Sequence, residues 1–294
     1  MRVNCPYCNS NKVIKRGQHP KQRYQCTDRK HPEGVRRYFY GEKSVAEVWL
    51  VDIETLPGIK RFWRLGEEDW SPETIVHDWI VCAYSAKRLF DSKVLGGVLT
   101  PKEALARDDK RIVGEMWRVF NNADILIAHN GDNFDIPRMN VRYLKHGLGV
   151  PAPYLTIDTK KAASRYFNFT SNRLAALAEF LGLQPKLHTD YQLWVGCEKG
   201  DKESLRYMLE YNQGDISTLE DVYVELRPWI GNHPNMSLYM DLAKDEYACK
   251  YCGSDNLTFD GAYRTTASTF EAFQCGDCGG WGRRATKLYT TSVR

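Results

Sequence analysis

The chain has 294 residues, 43% apolar and 27% charged, enough for one domain of about 200 residues with small appendages. That composition excludes a disordered polyelectrolyte and fits a globular protein with a core, and no apolar run approaches the ~20 residues that span a bilayer. The net charge of +4 is unevenly spread: residues 1–43 hold 11 Lys and Arg against 3 Asp and Glu, residues 44–240 hold 23 against 27, and residues 241–294 hold 7 against 7.

The basic N-terminal segment is the electrostatic footprint of a polyanion partner. It contains Cys5, Cys8 and Cys26 and lacks the apolar stretch of a signal peptide, so the expected location is cytoplasmic. Next come three expected strands, over residues 47–53, 75–84 and 93–99. Short links between them favour antiparallel pairing. Leu105, Ile112, Val113, Met116 and Phe120 recur at helical spacing and predict one helix over 102–121. A buried strand over 124–128 follows, then a helix over 134–146 with Pro137 near its start, and a strand over 155–157. Asp158 reads as a helix N-cap. Two helices are expected next, then a long one over 201–226. Pro228 and Gly231 end the domain. Neither a phosphate loop nor a serine–histidine–aspartate spacing stands out.

The C-terminal segment repeats the N-terminal one. Cys5-Pro6-Tyr7-Cys8 stands against Cys249-Lys250-Tyr251-Cys252, and Arg23-Tyr24-Gln25-Cys26 against Ala272-Phe273-Gln274-Cys275. C-x-x-C pairs outside a secreted context read as zinc knuckles rather than disulfides. Both ends resemble zinc ribbons, in which two knuckles clamp one tetrahedral ion. Cys249, Cys252, Cys275 and Cys278 make a complete C-terminal set. At the N-terminus, Arg29 stands where the fourth cysteine should fall. His31 is the preferred substitute beside Cys5, Cys8 and Cys26; His19 and an empty site are the alternatives. Cys82 lies in an apolar strand and reads as a core thiol, and Cys197 as incidental. The expected domains are thus a ribbon over 1–43, a central domain over 44–240 and a ribbon over 241–294.

Three acidic motifs carry the chemistry of the central domain. Asp52 and Glu54 lie two apart on an apolar strand, so both carboxylates share a face. Asp135 follows Asn130 and Phe134 in Asn130-Gly131-Asp132-Asn133-Phe134-Asp135. Tyr211 and Asp215 lie four apart and share a helix face. Clustered carboxylates repel one another unless cations neutralise them, and a pair of divalent ions is standard apparatus for cleaving phosphodiesters.

Over residues 46–230 the three motifs resemble the DEDD superfamily of 3′–5′ exonucleases, in its tyrosine-bearing branch. The resemblance implies an RNase H-like α/β fold, with a mixed sheet and helices on both faces. It implies that Asp52, Glu54 and Asp215 hold one Mg²⁺ or Mn²⁺, that Asp52 bridges to a second, and that Asp135 supports the second. Tyr211 would orient the attacking water, since a phenol with an ordinary pKa near 10 is a poor base at neutral pH. Asn130 and Phe134 would shape the pocket for the terminal nucleotide, although Phe134 reads equally as a core aromatic. The implied partner is a single-stranded or frayed 3′ end, with DNA favoured over RNA, and the product a nucleoside 5′-monophosphate. Two structural zinc ions would complete the inventory. Flanking ribbons give the chain the look of phage or mobile-element exonucleases. Two other readings remain open here: a non-catalytic nucleic-acid-binding protein on a nuclease scaffold, and an RNase H-like endonuclease.

Overall fold

The computed structural model describes residues 10–18, 22–30, 38–40, 46–64, 71–183, 189–240 and 247–290. Strands β1 (Val13–Gln18), β2 (Gln22–Cys26) and β3 (Tyr38–Tyr40) form a small antiparallel sheet. The central domain starts with β4 (Val48–Leu56). The strand expected over 75–84 is divided. β6 (Ile75–His77) pairs with β5 (Ile59–Lys60) in a separate ribbon, and β7 (Ile80–Arg88) joins the main sheet. The break falls where Asp78 turns its carboxylate back onto the amide of Trp79 at 2.9 Å. β8 (Val94–Val98) pairs antiparallel with β7.

The helix expected over 102–121 is also two, α1 (Pro101–Ala106) and α2 (Lys110–Asn122). Thr100 and Glu103 form a capping box at the first. Arg107 ends it in the left-handed region, at φ 51°. β9 (Ile125–Ala128), α3 (Asp135–Lys145), β10 (Leu155–Asp158) and α4 (Thr159–Tyr166) follow. Three helices, where two were expected, precede the long one: α4 is followed by α5 (Leu174–Phe180) and α6 (Tyr191–Glu198), and then by α7 (Lys202–Leu226), close to the expected 201–226.

The main sheet has the order β10-β9-β4-β7-β8. β4, β9 and β10 run parallel; β7 pairs antiparallel with β4, and the edge strand β8 pairs antiparallel with β7 and so runs in the direction of β4. Helices cover both faces. Val51 and Ile53 point to a core shared with Ile112, Met116 and Phe120 of α2. Val48 and Leu50, alternating with them, point to a core shared with Leu219, Val222 and Tyr223 of α7. Each such buried side chain contributes roughly 1.5–3 kcal/mol relative to exposure. Because strand side chains alternate, Asp52 and Glu54 continue the row begun by Val48 and Leu50, on the α7 side.

A buried ion pair fixes α3. Asp109 and Arg142 are almost fully buried, with Arg142 Nη2 donating to Asp109 Oδ1 at 2.5 Å. His146 Nε2 bonds the same oxygen at 2.6 Å, and Asp109 Oδ2 accepts from the amide of Val81 at 2.9 Å. Removing one partner of such a pair strands a buried charge. The network ties α2, β7 and the C-terminal half of α3 together.

The C-terminal module is a three-stranded antiparallel sheet of β11 (Leu257–Arg264), β12 (Ser268–Cys275) and β13 (Trp281–Thr290). It meets the central domain through His233, whose ring lies against Tyr251 at 5.4 Å between centroids, and through the amide of Met236, which donates to the Lys250 carbonyl at 2.8 Å. The repeat between the two ends extends to register. Val13, five residues after Cys8, pairs with Cys26, and Leu257, five residues after Cys252, pairs with Cys275.

Candidate metal centres

Among the described residues, two groups of potential metal ligands converge, with ligand atoms mutually within 4.8 Å: Asp52, Glu54 and Asp215, and the four cysteines Cys249, Cys252, Cys275 and Cys278.

The acidic group is assembled by two elements. β4 runs apolar to its middle and then presents Asp52 and Glu54, both half-buried, toward α7. The facing stripe of α7 is Leu205, Met208, Asn212, Asp215, Ile216 and Leu219, all buried. Its two polar interruptions meet the two acids of β4. Asn212 Nδ2 donates to Asp52 Oδ2 at 2.5 Å, which fixes one oxygen of that carboxylate and orients the other. Asn212 did not stand out in the sequence, although its place within an apolar stripe was a usable signal. At the end of β4 the pairing with β7 slips by one residue, so that Glu54 faces Ala83 and Thr55 faces Val81. The bypassed residue is Cys82, whose carbonyl instead accepts from Leu99 at 2.9 Å. Such bulges re-aim neighbouring side chains.

Asp135 stands apart from the ligand cluster. It is 2% exposed and sits at the start of α3, and its Oδ1 accepts the amide of Ile53 at 3.0 Å. That amide lies between the two acids of β4, so Asp135 joins the group through the backbone. Burial is the main cause that pushes its carboxyl up to about 7, against the lowering effect of the Ile53 amide. Tyr211 lies half-buried one turn before Asp215 on α7.

The loop before α3 is held from the neighbouring strand. Asp158 caps α4, accepting from Lys160 and Lys161 amides, as its sequence context suggested. It also accepts the amides of Asn130 at 3.0 Å and Asp132 at 3.3 Å. Asn130 takes a left-handed conformation, φ 71°, which asparagine tolerates better than most residues. Its side-chain oxygen accepts from Lys160 Nζ at 3.3 Å. Phe134 is half-buried against the core, with the Arg138 guanidinium 4.4 Å above its ring. A core role and an exposed edge are therefore combined in one side chain.

The donor chemistry of the acidic group fits a divalent cation. Three carboxylates supply only hard oxygen ligands, which suit Mg²⁺ or Mn²⁺. In the cysteine group, Cys249 and Cys278 sulfurs lie 3.5 Å apart, and Cys252 and Cys275 sulfurs 3.6 Å apart. Four thiolates at about 2.3 Å from a tetrahedral Zn²⁺ would sit at closely similar spacing. The residues fit a zinc module. At the other end, Cys5, Cys8 and His31 lie outside the described residues, as does His19. Cys26 is the last residue of β2. Cys82 and Cys197 are both fully buried, and their thiols interact within the core.

A family model described as the RNase H superfamily matches residues 98–227. The matched stretch includes Asp135 and Asp215, while Asp52 and Glu54 precede it. No curated protein matches the chain. Among solved structures it is similar to the family B DNA polymerase from the hyperthermophilic archaeon Pyrobaculum calidifontis, at 14% identity and a TM-score of 0.47. The match covers 70% of this chain and 28% of the polymerase. The central domain is RNase H-like: a five-stranded mixed sheet with helices on both faces. No helix among the described residues is long and apolar enough to cross a membrane.

Proposed function

We propose that the chain is a metal-dependent 3′–5′ exonuclease. It removes nucleotides one at a time from a single-stranded or frayed 3′ end, with DNA as the favoured polymer, and releases nucleoside 5′-monophosphates. The observation that carries this reading is the convergence of Asp52, Glu54 and Asp215 where the central strand meets α7. An RNase H-like fold alone hosts several chemistries, and these side chains are what single out this one.

Asp52, Glu54 and Asp215 hold a divalent ion in this reading, and Asp135 supports a second from the start of α3. Bound there, Mg²⁺ or Mn²⁺ neutralises phosphate charge and makes water acidic enough to serve as a nucleophile near neutral pH. Asn212 keeps Asp52 in its ligating orientation. Tyr211, on the same face of α7 as Asp215, holds the attacking water through its hydroxyl. Asn130 and the edge of Phe134 border the terminal nucleotide, where an aromatic ring can stack without regard to base identity. The cysteine group binds zinc as a structural ion, and the N-terminal ribbon holds a second zinc through Cys5, Cys8, Cys26 and His31.

The test is a matched pair of single strands, one linear and 5′-labelled, one circular, incubated with Mg²⁺. The expected result is a ladder of shortening linear products and an intact circle. Cleavage of the circle would support an endonuclease on the same fold, and loss of neither substrate would support a binding protein.

A further inference from the structure

The C-terminal module carries a groove of about 700 Å³ that none of the chemistry above uses. Between residues 247 and 290 there are five cationic side chains and four acidic ones, close to neutral. Yet Lys250, Arg283, Arg284 and Lys287 all line the groove, and none of the four acids does. Among the described residues of the module, charge is therefore sorted by location, which a neutral structural appendage has no need of. Arg284 is paired with Glu271 at 2.7 Å. Among the described residues, Arg283, Lys287 and Lys250 form no ion pair.

Aromatic rings lie between the cations. Phe270 and Phe273 are buried and form the floor. Trp281 and Tyr263, also lining the groove, are 51% and 46% exposed. Exposed apolar surface gathered in one groove and rimmed by polar groups marks an interaction site. The Arg283 guanidinium sits 3.5 Å from the Phe270 ring centroid and 5.5 Å from that of Tyr263. Its position is thus set by packing, which lowers the entropy lost when it binds a partner. Cations that follow a backbone, interleaved with exposed rings that accept flat partners, are the two parts of a single-strand site. A duplex keeps its base faces stacked inside and offers nothing to the rings. An acidic polypeptide would satisfy the cations and leave the rings unused.

We propose that this groove binds single-stranded nucleic acid, with Trp281 and Tyr263 stacking on bases and Arg283 and Lys287 contacting phosphates. The site deepens the nuclease reading, on which the choice of polymer rests. It would hold the strand while the carboxylate cluster acts on its end.

Binding is measured in the full, zinc-loaded chain carrying Asp52→Asn to prevent cleavage, using a fluorescent oligothymidylate at several salt concentrations. Trp281→Ala should weaken binding at least about fivefold, the low end for loss of one stacked base, without changing the salt slope. Arg283→Ala with Lys287→Ala should weaken it and flatten the slope by about 1.4, as expected for two phosphate contacts on a single strand. Lys287→Glu, a change at an exposed strand position, repeats the charge test if the double variant folds poorly; zinc content reports on the fold. Wild-type binding in all these variants overturns the proposal. So does equal affinity for an abasic strand or a duplex. A second arm uses the active chain. The groove variants should raise KM on long strands, with kcat and cleavage of a dinucleotide unchanged. Binding lost in the variants by a chain that cleaves nothing would leave the groove standing and remove the nuclease reading. Normal binding and cleavage in every variant would do the reverse.

Discussion

The main-chain amide of Ile53 donates a 3.0 Å hydrogen bond to Oδ1 of Asp135. The two residues lie 82 positions apart in sequence, and the bond locks the strand of Asp52 and Glu54 to the start of α3. Asp135→Asn keeps an acceptor for that amide and removes the charge. It should leave thermal stability nearly unchanged and lower cleavage at least about a hundredfold, the scale of losing one preorganised electrostatic group. Asp135→Ala strands the buried amide and should cost a further 1–3 kcal/mol or so of stability. Equal unfolding curves for the two variants would show that the bond carries no weight.

Asn212 should matter through Asp52 alone. Asn212→Ala frees the Asp52 carboxylate to rotate, and losing a partner behind a metal ligand typically costs about 10–100-fold in metal affinity. Calorimetric titration with Mn²⁺ reads this directly. A variant that binds Mn²⁺ like the wild type but cleaves slowly would move Asn212 from the metal to the substrate.

Tyr211→Phe removes a hydroxyl and keeps the ring. Cleavage should slow while Mn²⁺ affinity holds, because the phenol orients water and does not ligate. A loss of affinity equal to that of Asp215→Ala would make Tyr211 part of the metal site.

The two acidic strand positions, the tyrosine–aspartate spacing and the central β9 run were legible because each is a local pattern. Asp52 and Glu54 alternate with Ile53; Tyr211 and Asp215 are one helical turn apart. The split at 107–109 was not legible, because Leu105, Ile112 and Met116 keep helical spacing across the break. What ends α1 is tertiary: Arg107 donates to the Pro57 and Asp78 carbonyls, and Asp109 turns inward to Arg142. Asn212 was marked by its place in an apolar stripe, but its role was not legible, because its partner Asp52 lies 160 residues away. Asp158 was readable as a cap, but its grip on the 130–132 loop was not.

His233 gives a pH dependence of stability. It is buried against Tyr223 and Tyr251, with Tyr223 Oη 2.9 Å from Nε2 and the Pro234 carbonyl 2.7 Å from Nδ1. Burial is the main cause that lowers its pKa to about 4, against about 6.5 when unfolded. The unfolded chain therefore binds the proton first. The contribution is full above pH 6.5 and is lost as pH falls toward 4. Between pH 7 and 5 the loss should be about 2 kcal/mol by linkage. Urea unfolding of the wild type and His233→Gln should converge by that amount over the interval; a constant gap would contradict the assignment.

Two zinc ions per chain are expected by elemental analysis, since thiolate and imidazole ligands select Zn²⁺ over harder ions. A single zinc would leave the N-terminal set with His31 empty. Removing residues 1–43, with 11 basic residues against 3 acidic, should weaken substrate binding more at low salt than at high salt, because phosphate contacts act by counterion release. The rate at saturating substrate should change little.

The most direct test of exonuclease action sets the wild type beside Asp215→Ala, purified in parallel, on a 5′-labelled single strand with Mg²⁺. The proposed function entails stepwise shortening from the 3′ end and nucleoside 5′-monophosphates with the wild type, and neither with the variant, while both chains keep the same circular dichroism. Undiminished cleavage by Asp215→Ala, or a wild type inert with both Mg²⁺ and Mn²⁺, would contradict it.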